Sequence, residues 1–264
     1  MASADSLKAI SPLLNTTFNL LHTSPVIGQL LRHDIESCSK YLTSLRKRVG
    51  PFLDAADNFN GSWSANTTTL NGITVQIHNV QFTGCRFVII VCAHAQNEKE
   101  RRMVIFSRSS RQLQNVLANW VEMYFDVVVR PMSLSGAFIA GFVDSFVGQC
   151  MRMEDSSSLQ LEFTTGMKEL RRITIGLEPD EVQKLATTAG IMTNVYNHML
   201  DSTGIKFDQL DLGKAGCGAG AIEHSGKIKF SSRANTIDWL AEFVTRLIGQ
   251  IAGQVWHSGE DSNI

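Results

Sequence analysis

The chain has 264 residues, 44% of them hydrophobic, enough for one large domain or two packed lobes with a substantial core. Its 24 Lys and Arg against 25 Asp and Glu leave a net charge of −1, so no global field recruits nucleic acid or an acidic membrane. No apolar run is long enough for a membrane span, and the opening "MASADSLKAISPLL" has no secretory pattern, which predicts an intracellular chain.

In chain order, residues 5 to 57 read as helical. Leu13, Leu14, Phe18 and Leu21 recur at helical spacing, followed after Pro25 by Leu30, Leu31, Ile35, Cys38, Leu42 and Leu45. From Thr67 the period becomes two: "CRFVIIVCA" and "RRMVIFS" are strands, and Asn71-Gly72 and Thr83-Gly84 are hairpin turns of a meander. Leu113, Val116, Leu117, Trp120 and Val121 define a helix from Ser109 to Met123. A strand, "YFDVVVRP", and an apolar helix over residues 135 to 150 come next.

The polar "RMEDSSS" marks a junction between lobes, giving a helical segment at 1–60, a first α+β lobe at 61–155 and a C-terminal sheet and helix lobe at 156–264. In the last lobe "LQLEF" and "RRITIGL" form a hairpin, and "EPDEVQKLATTAGIMTNVYNHML" is one helix with Pro179 in its first turn. Strands at Ile205 to Leu212 and Ala221 to Phe230 form a second hairpin before a closing helix N-capped by Asn235. Antiparallel strands interrupted by helices, without βαβ alternation, predict an α+β fold with helices packed on a mainly antiparallel, curved sheet.

Chemistry is sparse in the sequence. The five cysteines include no C-x-x-C pair and the seven histidines no H-E-x-x-H, so neither a metal nor another cofactor is expected. "GCGAGA" matches a dinucleotide fingerprint in letters, but the following residues, "IEHSGKIKF", predict a strand where that site needs a helix. A nucleotide-binding enzyme using the glycine-rich 213–220 connection is therefore the alternative reading, and a non-enzymatic protein the leading one.

The order of several segments resembles the centromere protein L (CENP-L) family of inner kinetochore subunits. "NWVEMYFDVVVRPMSLSGAFIAGFVDSF", "RRITIGLEPDEVQKL" and "VYNHMLDSTGIKFDQLDL" before "SGKIKF" carry the likeness, with "LLHTSPVIGQLLRHDIESCSKYLTSL" nearer the N-terminus. The resemblance implies a scaffold at the centromere in the nucleus that pairs with a CENP-N-like subunit through its C-terminal sheet, and that sits among other kinetochore subunits. For the isolated chain the fungal resemblance suggests a homodimer through the same strands, the alternative being aggregation at the bare edge.

Sheet geometry puts that contact on an open edge, where unpaired backbone groups accept a partner strand. The expected edge is the strand Lys227, Ile228, Lys229, Phe230, with Ile205, Phe207, Leu210 and Ile222 beside it. Two basic clusters, Arg46, Lys47 and Arg48 and then Lys168, Arg171 and Arg172, are candidates for centromeric DNA contact within the complex.

Overall fold

A computed structural model describes residues 8–26, 31–53, 61–94, 97–152, 157–168, 170–187, 190–218, 220–231 and 236–253. The predicted cap at Asn235, most of the junction at 152–158 and Leu30 lie outside these residues. The chain divides into two compact units, one of residues 1–12, 20–130 and 240–264, the other of residues 13–19 and 131–239. The fold is α+β, with eleven strands that pair largely antiparallel.

In the first unit four strands follow one another as a meander: β2 (Ser62–Leu70), β3 (Ile73–Phe82), β4 (Cys85–His94) and β5 (Asn97–Arg108). Asn71, Gly72 and Gly84 take positive φ of 46°, 84° and 77°, the conformation that tight hairpin turns require. Beyond β5 lies the second half of β1 (Thr16–Thr23), where the Thr23 hydroxyl accepts from the Met103 amide at 3.0 Å.

That strand corrects the helical reading of residues 13 to 21. Asn15 sits at φ 54°, which stops a helix, and Thr16, Phe18 and Leu20 are buried with Thr17 exposed. Over so short a run apolar spacing fits both periods, and three β-branched threonines decide for the strand. The helical reading holds further on, in α1 (Ile35–Val49), where the Asp34 side chain caps the Ser37 amide at 2.8 Å. Its inward face is Cys38, Tyr41, Leu45 and Val49, whereas Ile35 is 90% exposed.

One side of the meander packs against α1 and α2 (Arg111–Phe125) through Val80, Phe87, Ile89, Tyr41, Leu117 and Trp120. Tyr41 is the hub, with ring centroids 5.5 Å from Trp63 and 5.3 Å from Tyr124. The two indole N–H groups of this core find partners, as buried aromatics usually do. Trp120 Nε1 donates to Ser44 Oγ at 3.1 Å and Trp63 Nε1 to His78 Nδ1 at 3.2 Å. Residues of opposite parity, Val75, Ile77, Val88, Ile90 and Phe106, are equally buried on the other side. There the buried Arg102 donates to the Ile251 carbonyl at the end of α6 (Thr236–Gly253), a cation placed at the negative pole of that helix.

The second unit orders its strands as the first half of β1, β11 (Lys227–Phe230), β10 (Gly220–Glu223), β9 (Asp211–Cys217), β7 (Leu159–Thr164) and β8 (Arg172–Leu177). The predicted 159–177 hairpin is present in full register, Leu159 opposite Leu177 through Thr164 opposite Arg172. Helix α3 (Gly136–Arg152) approaches closely: a β-carbon on Gly136 would stand 3.2 Å from the Leu212 amide nitrogen.

Four expectations change here. The strand predicted over 124–131 shrinks to β6 (Val129–Pro131), because Tyr124 and Phe125 complete α2. The single helix from Pro179 becomes α4 (Pro179–Leu185) and α5 (Met192–Thr203), broken by Gly190 at φ 108°. In the interruption Asp144 of α3 caps α5, its Oδ1 accepting the Ile191 and Met192 amides at 2.7 and 2.9 Å. Residues 207 to 209 form a 3-10 turn and the strand begins at Asp211, not Ile205. The single strand expected from Ala221 to Phe230 is likewise two, β10 and β11, folded back on each other at a turn where Gly226 takes φ 77°.

Candidate partner-binding surface

The strand Lys227–Phe230 is not an edge. Its residues pair with β10 on one side, Ile222 opposite Ile228, and with β1 on the other, Phe18 opposite Ile228 and Thr17 opposite Lys229. Alternation places Lys227 and Lys229 in solvent and Ile228 and Phe230 in the core, both 0% exposed. Ile222 and Phe207 are core residues too, Phe207 with its ring 5.1 Å from Phe163. Leu210 is half-buried, and of the apolar candidates only Ile205 is exposed, at 43%. What the sequence could not disclose is that β1, some 200 residues away in the chain, covers this strand.

The glycine-rich connection is sheet. Gly213 and Gly216 lie within β9, Gly220 opens β10, and Ala219 lies outside the described residues. At Gly220 a side chain would collide with the Lys229 carbonyl, so this glycine serves the close approach of two strands. Phosphate binding of the P-loop or dinucleotide kind needs a loop leading into a helix N-terminus, and β9 to β11 provide none.

The outer strand of this unit is β8, which pairs with β7 and, among the described residues, with nothing on its other side. Arg172, Thr174 and Gly176 are exposed along it. The turn leading into it is held by its own bonds: the Thr165 amide donates to Arg171 O at 3.0 Å and the Thr165 hydroxyl donates to Leu170 O. It presents Met167 and Leu170, 64% and 48% exposed. Leu200 and Ile205, 40% and 43% exposed, lie on either side of the left-handed cap Gly204 of α5. An unpaired strand beside exposed apolar side chains is the geometry that strand addition uses. The signal was present as alternation in "RRITIGL", but pattern alone does not distinguish an outer strand from an inner one.

Of the basic candidates, Lys168, Arg171 and Arg172 lie in and after this turn, all exposed, and Arg172 also pairs with Glu162 at 3.3 Å. Arg46, Lys47 and Arg48 lie in the first unit, exposed in the last turn of α1, where cations oppose the helix dipole. Arg48 Nη1 reaches the Met123 sulfur at 3.4 Å. Among the described residues no group of three His, Cys, Asp or Glu side chains could hold a metal ion, and no helix is long and apolar enough to cross a membrane.

The chain is an open-edged α+β protein with apolar side chains displayed beside an outer strand. It belongs to the centromere protein L family, whose model matches residues 95–254, more than half of the chain. No curated protein matches the chain. Family membership makes it a kinetochore protein of the centromere, with a role in chromosome segregation in the nucleus among other inner kinetochore subunits.

Proposed function

We propose that this chain is a non-catalytic scaffold subunit of the constitutive inner kinetochore that pairs with a CENP-N-like subunit and helps anchor the kinetochore at centromeric nucleosomes. The observation that carries the pairing is the outer side of β8, unpaired among the described residues, with the exposed Met167 and Leu170 in the turn that leads into it. A partner strand completes the ladder there, and those side chains supply the apolar contact. This moves the interface from Lys227–Phe230 to Arg172–Leu177. Phe207, Ile222, Ile228 and Phe230 build the sheet that supports the edge. Without its partner, the same edge accounts for homodimerisation.

Lys168, Arg171 and Arg172 adjoin that edge, so their contact with centromeric DNA belongs to the assembled complex. Arg46, Lys47 and Arg48 form the second basic surface.

Gly176→Glu tests the interface. No atom lies within 4 Å of a β-carbon placed there, so the fold accommodates the change, and a carboxylate on the edge opposes strand addition. Co-expression of this variant with a CENP-N-like subunit should give two separate species. A Lys227→Glu, Lys229→Glu double variant should still form the complex. The reverse outcome would return the interface to β11 and its neighbours.

A further inference from the structure

A cavity of about 750 Å³ lies within the first unit, walled by residues 8–12 and by β2, β3 and β4. That volume is in the range of small-molecule sites. Strand register explains why its polar side chains meet. Ser62, Gln81 and Arg86 stand opposite one another in a row across the three strands, and Ser64 and Asn79 stand in the next row, so all five side chains share one face of the meander.

The charge of the wall is one-sided. Lys8 and Arg86 supply it, and no carboxylate stands among the described lining residues. The half-buried Arg86 guanidinium is held by two neutral oxygens, Nη1 donating to Pro12 O at 3.3 Å and Nη2 to Gln81 Oε1 at 3.1 Å. Those bonds orient the fork without neutralising it, and a guanidinium has more N–H donors than they use. The Asn79 side-chain oxygen is sealed from solvent without a hydrogen-bond partner. Its amide N–H groups and the hydroxyls of Ser62 and Ser64, both at exposed positions, add neutral donors around the two cations.

We propose that this cavity binds a phosphate monoester. Near neutral pH such a group carries about two negative charges and three strong acceptor oxygens, which match two cations set among hydroxyl and amide donors. Arginine adds shape selection, because its planar fork meets two phosphate oxygens at once. A single carboxylate or a phosphate diester brings only half that charge. The cavity has room for more than the phosphate itself, so the group arrives either on a phosphorylated side chain of another protein or on a small molecule.

The experiment titrates the full chain at low salt, with calorimetry for affinity and backbone amide shifts for location. Inorganic phosphate and a glycine–phosphoserine–glycine peptide should bind, with shifts at Ser62, Ser64, Asn79 and Arg86. The same peptide without phosphate, dimethyl phosphate and succinate should each bind at least about tenfold more weakly. Tighter binding of the phosphopeptide than of inorganic phosphate assigns the group to a protein ligand, and equal binding assigns it to a small molecule. Arg86→Gln should abolish binding. Lys8→Gln and Ser64→Glu, which leave the Arg86 bonds in place, should each weaken it about tenfold with the unfolding midpoint unchanged. No binding of inorganic phosphate, equal binding of dimethyl phosphate or succinate, shifts confined to other residues, or unaltered affinity in the Lys8 and Ser64 variants would overturn the proposal.

Discussion

Gly220 lies against Lys229 so closely that any β-carbon at 220 would overlap the Lys229 carbonyl and stand 3.2 Å from the Phe230 α-carbon. Two interior strands meet at this point, and the obstacle is backbone, which cannot swing aside as a side chain does. Gly220→Ala should therefore cost about 1–3 kcal/mol, as overpacking of a tight interior does. Urea unfolding measures the loss. A variant as stable as the parent would mean that β10 and β11 do not approach in this way.

His78 is fully buried, accepts the Trp63 indole N–H at its Nδ1, and is held down to about 4 by burial, from the ordinary 6.5. The unfolded chain therefore takes up its proton first as pH falls. Stability due to the neutral ring is complete above about pH 6.5 and declines down to about pH 4, a loss of up to about 3 kcal/mol. His22, lowered by burial and by Arg102 and Arg130, works in the same direction. Urea midpoints should fall steadily between neutral pH and about pH 5, and His78→Gln should flatten the slope. Equal midpoints across that range would contradict the burial of this ring.

Asp144 holds the first turn of α5 from α3 through the Ile191 and Met192 amides. Asp144→Ala should destabilise the chain by about 1–2 kcal/mol, whereas Asp144→Asn, which keeps an acceptor, should lose less. Thermal unfolding of the pair checks both values. If alanine and asparagine behave alike, the carboxylate is not the cap.

Met167 and Leu170 should act in the complex and not in the fold, because both side chains face solvent in the isolated chain. Met167→Glu with Leu170→Glu should leave thermal unfolding within about 0.5 kcal/mol of the parent. It should also weaken partner binding by about tenfold or more, by placing charge in an apolar contact. Calorimetric titration with the partner would reveal unaltered affinity if these residues lie outside the interface.

The meander and the 159–177 hairpin were legible because turn residues and a two-residue period agree: Asn71-Gly72 and Thr83-Gly84 punctuate runs too apolar to be anything but sheet. The helices around Tyr41 and Trp120 were legible from their apolar period alone. Residues 16–23 misled because a short apolar run fits two periods, and the pairing with Lys227–Phe230 holds it as a strand. That one long-range pairing also decides the candidate site, since it converts an apparent edge into an interior strand and leaves β8 outermost. A local pattern records which face of a strand is buried, whereas its neighbours are set by chain segments far away in sequence. The glycines at 213, 216 and 220 likewise suggested a loop and proved to lie in strands, with a close approach at Gly220.

The most direct measurement is size-exclusion chromatography with light scattering of the full chain co-expressed with a CENP-N-like subunit. A single species with the mass of a one-to-one complex is expected at micromolar concentration. Hydrogen exchange on that species should slow at Arg172–Leu177. Two separate peaks, each with the mass of one chain or its homodimer, would contradict pairing and with it the scaffold role proposed for this protein.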